Sequence, residues 1–344
     1  MSKEVTIRDV AADAHVSITT ASFALNNVTN RVNLDTRERI LASAKKLHYI
    51  ANNSARSLRT SKTRTIMFVF TREYLRERYL GHMASLTKCI EIADKMNYGI
   101  LIELVDGAKG LDELVRQFTR IWHSGRVDGI IFQCFFEDSR DDELYRRLNN
   151  AGVKLVNISR IGDASDYPCV YIEEFQMVRD QVRYAVQRGY GMLYYLCRKH
   201  LTLGIRERGF LDEIAGENVR GEIVNYFSKE CSEEVLWQVV EPIVSNIKDD
   251  KTAFICWNDF DAMTLIGTLK RHGINVPGDV GVMGFDNITF SEYNVPKLTT
   301  VSHPFTLMAE KAFEMLVRII DDENMTREQT HVNIDSEIIE RDSM

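Results

Sequence analysis

No apolar run in these 344 residues approaches the roughly 20 needed to cross a bilayer, so a membrane span is not expected. The first residues are polar and include an acid, unlike a secretory signal peptide, which points to a cytoplasmic protein. Six cysteines, Cys89, Cys134, Cys169, Cys197, Cys231 and Cys256, form no Cys-x-x-Cys pair. Neither a zinc site nor a disulfide framework is therefore expected, and buried free thiols are the reading. Also missing are the phosphate-binding Gly-x-x-x-x-Gly-Lys-Ser/Thr loop, His-Glu-x-x-His, Gly-x-Ser-x-Gly and the dinucleotide glycine fingerprint. The eight histidines are dispersed. These gaps argue against an enzyme, and no cofactor or metal is expected.

What is present is an uneven distribution of charge. Residues 1–64 carry eleven Lys/Arg against five Asp/Glu, or +6, while the remainder carries 32 against 45, or −13, which together give the chain's −7. A basic head on an acidic body points to a polyanionic partner for the head alone. At 44% apolar and 27% charged the chain reads as globular, long enough for two or three packed units.

The head has a helical grammar. Ile7, Val10, Ala11 and Ala14 follow helical spacing behind a capping Thr6, and His15-Val16-Ser17 interrupts them. Ser17 can cap a second short helix over Ile18–Leu25, whose small residues permit close packing. Two short helices about a tight turn predict a helix-turn-helix, with the second helix built for a major groove. A third helix begins near Asp35 and presents Ile40, Ala44 and Leu47 on one stripe. Beyond it, Asn52 or Asn53 could cap a turn or two through Leu58, too short to be stable alone.

From Thr65 the pattern alternates. Strands are predicted at 65–70, 99–105, 129–136, 153–158, 192–197, 222–225, 253–257 and 280–284. Helices are predicted between them, at 83–95, 111–123, 141–150, 175–187, 203–214, 232–247 and 259–271. A link near 163–168 divides two similar α/β halves, and a last helix over 307–320 and a strand over 332–338 cross back between them. Such alternation implies parallel sheets covered on both faces, with ligands bound beyond the strand carboxyl ends.

The run Val5-Thr6-Ile7-Arg8-Asp9-Val10-Ala11, the Val16-Ser17 turn, Thr20-Ala21-Ser22, Leu25-Asn26 and Ala55-Arg56-Ser57-Leu58 resemble the lactose-repressor family of bacterial transcription regulators. Trp257-Asn258-Asp259, Gly284-Phe285-Asp286-Asn287, Pro296-x-Leu298-Thr299-Thr300-Val301 and Arg206-x-x-Gly209-Phe210 resemble the periplasmic-binding-protein-like core of the same family. The resemblance implies a small all-α helix-turn-helix domain followed by a two-lobed α/β core with parallel sheets. Its expected boundaries are a headpiece at 1–50, a hinge helix and linker at 51–64, and an effector-binding and dimerisation core at 65–344. The first lobe is expected at about 65–165 plus 303–320, the second at about 170–300 plus 321–344.

The resemblance implies a homodimeric repressor of the cytoplasm and nucleoid, bound to double-stranded operator DNA and controlled by a small metabolite, expected to be a sugar or sugar derivative. Ile18, Thr19 and Phe23 stand where the family reads base edges; the hydroxyl of Thr19 can bond a base, whereas Ile18 and Phe23 offer only apolar contact or a place in the headpiece core. Thr6, Ser17, Thr20, Ser22 and Asn26 suit phosphate contacts, which set register. Arg8, Arg31, Arg56 and Arg59 are basic candidates, and Ala55 belongs to the hinge motif. Leu58, aliphatic in a polar and basic stretch, is the candidate wedge between base steps.

For the effector, Arg206 and Asp286 match family positions, Asn258 is a third and Arg160 a first-lobe counterpart. An Arg fork and an Asp acceptor pair can bracket vicinal hydroxyls or an anionic group, and they can equally form an ion pair with one another. Tyr79, Phe175, Phe227 and Trp257 are aromatic candidates for stacking on a ring. Two departures separate the chain from the family pattern: the segment Thr71–Tyr79 is heavily charged, and Glu173-Glu174 replaces a frequent Asp-Asn pair. The alternatives are the same architecture governed by a partner protein with a vestigial cleft, and a solute-binding protein with no DNA role.

Overall fold

The computed structural model describes residues 5–25, 31–49, 62–72, 80–134, 141–159, 165–198, 204–217, 219–226, 232–247 and 251–344. The chain divides into two compact units, Met1–Thr63 and Arg64–Met344.

In the first unit, α1 (Ile7–Asp13), α2 (Ile18–Leu25) and α3 (Leu34–Lys46) surround a core of Val10, Ala11, Ala14, Ala21, Ala24, Ile40 and Ala44. The Asp9 carboxylate accepts from both the backbone N–H and the hydroxyl of Thr6, at 2.8 and 2.7 Å, which fixes the entry to α1. His15, at φ 51°, ends it in the left-handed conformation, with Val16 N–H donating to the Ala11 carbonyl. The chain then restarts at once, because Ser17 Oγ accepts from Thr20 N–H at 3.0 Å. Alanines at both buried positions of α2 leave room for α1 and α3 to close over it.

The second unit holds two parallel sheets. The first has the order β11-β5-β4-β3-β1-β2, built from β1 (Thr65–Thr71), β2 (Gly99–Val105), β3 (Gly129–Gln133), β4 (Leu155–Ser159), β5 (Cys169–Tyr171) and β11 (His331–Asn333). Helices α4 (Leu80–Met96), α5 (Leu111–His123) and α6 (Asp141–Asn150) connect its strands, and α11 (Phe305–Ile320) packs on α4, β3 and β4. The second sheet, β7-β6-β8-β9, comprises β6 (Met192–Arg198), β7 (Arg220–Tyr226), β8 (Thr252–Cys256) and β9 (Val280–Met283). It is served by α7 (Glu174–Gln187), α8 (Ile205–Gly216), α9 (Glu233–Val244) and α10 (Asp259–Arg271). The central strands β1, β3 and β8 are buried almost throughout, as strands covered on both faces must be.

The chain passes between the sheets after β5, after β10 (Thr300–Val301), and between β11 and β12 (Ile338–Ile339); β10 and β12 pair antiparallel. Two expectations change here. The predicted strand over 332–338 is two short pieces, because residues 331–333 extend the first sheet beside β5 before the chain crosses to pair with β10. The lobe boundaries change with it: β5 and β11 belong to the first sheet, so neither 170–300 nor 321–344 lies wholly in the second. The final residues do lie there, with Val282 N–H donating to the Ser343 carbonyl. The one-turn helix α12 (Arg327–Thr330) precedes β11.

Among the described residues no helix is long and apolar enough to cross a membrane, and no cluster of His, Cys, Asp and Glu could hold a metal. Cys89, Cys134, Cys169, Cys197 and Cys256 are buried thiols outside any disulfide; Cys231 lies outside the described residues.

Candidate functional site

Two groups of residues carry the chemistry. In the headpiece, the buried alanines set which face of α2 turns outward. Ile18 is 47% exposed, and among the described residues neither it nor Phe23 belongs to the core cluster. Ser17 and Thr19 are exposed, and Thr20, Ser22 and Phe23 are half-buried. Ser17 serves first as the cap of α2, and its hydroxyl also lies 2.8 Å from that of Thr20. Thr6, Arg8 and Arg31 are exposed. Asn26, Ala55, Arg56, Leu58 and Arg59 lie outside the described residues.

The second group forms at the carboxyl ends of the second sheet. Helices α7 and α8 touch through Gly209: a Cβ there would sit 2.5 Å from the Phe175 carbonyl oxygen. Farther along, Glu213 of α8 accepts from Arg179 and Arg183 of α7 at 2.6–2.8 Å. This clasp brings the first turns of the two helices together, and with them Glu174 and Arg206. Glu174 accepts two hydrogen bonds from the Arg206 guanidinium, Nε to Oε2 at 2.8 Å and Nη2 to Oε1 at 3.1 Å. Nη1 donates to the Trp257 carbonyl at 2.6 Å. The guanidinium lies 3.7 Å from the Phe285 ring centroid and 5.1 Å from that of Trp257, within cation–π range of both. Burial opposes its charge, but the Glu174 carboxylate outweighs burial and raises the pKa above the usual arginine value.

Asp286 is the other pole, with Oδ1 4.0 Å from Arg206 Nη2 and 3.4 Å from His303 Nδ1. It has φ 119° and its neighbour Asn287 φ 49°, a left-handed pair that non-glycine residues rarely adopt. The loop is held there from several sides. Gln181 Nε2 donates to the Gly284 carbonyl at 2.8 Å, Asp286 N–H donates to the Val301 carbonyl at 2.9 Å, and Arg341 donates to Asn287 Oδ1 at 2.7 Å. Asp259, wholly buried beneath, accepts from Ile288 N–H at 2.9 Å and from the hydroxyls of Ser291 and Thr300. Burial, and then the nearby Asp286 carboxylate, push its pKa up to about 7 against the pull of those hydrogen bonds.

Of the predicted effector residues, the structure brings Arg206 and Asp286 together, with Trp257 beside them. Asn258 is adjacent in the chain, but its Oδ1 caps α10 by accepting from Asp261 N–H at 2.7 Å, and the residue is 3% exposed. The Phe175 ring lies 5.9 Å from the Arg179 guanidinium, in the α7–α8 clasp. Tyr79, Arg160 and Phe227 lie outside the described residues. Glu174, Phe285 and His303 are members not named among the candidates, although Phe285 lies inside the Gly284–Asn287 motif. Glu174 drew attention as a departure but not as a partner 32 residues from its arginine, and nothing about a lone histidine before Pro304 marks it. In the first sheet, the strand ends supply buried Thr71, Gln133 and Asn157; Gln133 Nε2 donates to Ser85 Oγ at 3.1 Å, which in turn donates to the Phe305 carbonyl.

The chain matches the family model of bacterial regulatory proteins of the lacI family over residues 6–52 and that of the periplasmic binding protein-like domain over residues 182–344. It is 30% identical to the HTH-type transcriptional regulator RegA of Clostridium acetobutylicum and 29% identical to the HTH-type transcriptional repressor PurR of Vibrio cholerae, each alignment covering 98% of both chains. Its fold is similar to that of the lac repressor dimer solved with operator and the anti-inducer ONPF, at a TM-score of 0.79 and 19% identity over 99% of both chains. With a helix-turn-helix headpiece ahead of a two-sheet parallel core, and similarity to these regulators over nearly its full length, the chain belongs to the lacI family of bacterial transcriptional regulators, which are not enzymes.

Proposed function

We propose that the protein is a homodimeric repressor of the cytoplasm that reads an operator through α2 and is released or engaged by a small hydroxyl-rich metabolite, a sugar or sugar derivative, held at the Arg206–Asp286 group. The outward face of α2 supports the first half. Ile18 and Thr19 project from a helix whose opposite side is sealed by alanines, and Ser17, Thr20, Ser22, Arg8 and Arg31 supply hydroxyls and charge for the flanking phosphates. Leu58 is assigned the minor-groove wedge, with Ala55, Arg56 and Arg59 around it.

The observation that carries the second half is the Asp286 loop. Two successive residues in the left-handed region cost about 1–3 kcal/mol each, and a loop locked there by Gln181, Arg341, Asp259 and Val301 is built to hold one carboxylate in one place. Arg206 beside it supplies the donor, and Trp257 and Phe285 an aromatic floor. Linkage supplies the control: an effector that binds one lobe arrangement better than the other shifts the dimer's affinity for DNA by the same free energy.

The test is operator binding by fluorescence anisotropy against a panel of sugars, with Arg206→Ala and Asp286→Ala beside the wild type. Both variants are expected to keep DNA binding and lose the response; a retained response would move the effector elsewhere. The internal neutralisation of Arg206 favours a second reading, control by a partner protein over a vestigial cleft. A panel without effect, together with a protein that alters operator affinity, would establish that reading instead.

A further inference from the structure

We propose that Glu174 sets the charge class of the effector, excluding anionic molecules and admitting uncharged or cationic hydroxyl-rich ones; this rests on the reading of the Arg206–Asp286 group as the effector site. An arginine facing a binding site ordinarily recruits carboxylates and phosphates through its planar fork. Here that fork is already filled. Nε and one Nη bond the two oxygens of Glu174, whose side chain is wholly buried, and the other Nη bonds the Trp257 carbonyl. Among the described residues two of the five guanidinium N–H groups remain, one on each Nη, enough to donate to hydroxyls, but they belong to a cation whose charge Glu174 already balances.

The charges agree with the geometry. Glu174 and Arg206 cancel, so among the described residues the Asp286 carboxylate is left with the neighbouring His303 imidazole. Asp259 beneath adds negative charge whenever it ionises. A phosphate or carboxylate entering here would meet like charge at Asp286, and the guanidinium beside it has its charge already balanced by Glu174. Vicinal hydroxyls meet the opposite situation: Asp286 accepts, the spare Arg206 N–H groups donate, and no charge is stranded.

Inorganic phosphate tests the proposal without knowledge of the effector. Thermal unfolding of the wild type, Glu174→Gln, Glu174→Asn and the double variant Glu174→Gln/Arg206→Gln is followed in phosphate and in chloride at equal ionic strength. The wild type is expected to show no phosphate-specific shift. The two single variants should melt below the wild type, because their arginine has lost its counter-charge, and phosphate should raise them by roughly 2–4 °C at saturating concentration. The double variant should not respond. A wild type that phosphate itself stabilises by that amount, with the double variant indifferent, overturns the proposal even if neither single variant folds, and so do folded single variants indifferent to phosphate. Failure of every sugar on the wild type, with the phosphate result as expected, would instead count against the effector reading alone.

Discussion

Asp259 is a carboxyl group with three hydrogen-bond donors that still holds its proton more tightly than a solvated acid, because burial and the Asp286 charge outweigh them. Its folded pKa of about 7 lies above the unfolded value of 3.8. The native state therefore retains a proton that the unfolded chain releases, and this contribution to stability is complete below about pH 4 and lost as the pH rises through about 7. Relative to Asp259→Asn, the wild type should lose on the order of 4 kcal/mol between roughly pH 4 and pH 8 in urea unfolding. A difference that stays flat with pH would mean the group is ionised throughout. At this scale the sequence singled out Arg206, Asp286 and Asn258 as candidates, since each sits in a short motif. It did not disclose what they bond: the Asn258 oxygen is spent on a helix cap, and the Arg206 partner comes from another helix.

Helices α7 and α8 show how an element places a side chain. Their backbones meet at Gly209, and only the absence of a Cβ allows the approach. Gly209→Ala must push α8 off the Phe175 carbonyl, costing about 1–3 kcal/mol, and with it the register of Glu174 on Arg206. Chemical denaturation is expected to show that loss, and the effector response to weaken with it; unchanged stability would mean the helices slide apart freely. The cap of α10 is a second such device. Asn258→Ala removes the acceptor for Asp261 N–H and should cost about 1 kcal/mol, whereas stability equal to wild type would leave Asn258 available to the effector alone. The long elements were legible because periodicity accumulates over a helix or a five-residue strand. β5, β10 and β12, of two or three residues, carry no period. The run 332–338 looked like one strand because nothing local marks where a chain leaves one sheet for another.

At the scale of the molecule, the split between a +6 head and a −13 remainder is the property from which the rest follows. The head attracts a polyanion, and the acidic remainder adds no nonspecific affinity of its own. Leu58→Ala should weaken binding to the operator more than to unrelated duplex, as expected of a wedge that acts only when the site is engaged; equal losses would remove that role. The most direct measurement is the affinity of the full-length protein for an operator fragment selected from genomic DNA, taken as a function of salt. If α2 and the basic residues around it grip phosphates, the logarithm of the affinity falls linearly with the logarithm of salt concentration, by about 0.9 for each phosphate neutralised, and Arg8→Ala or Arg31→Ala lowers the slope. A flat response, or failure to bind any fragment at low ionic strength, would contradict the account.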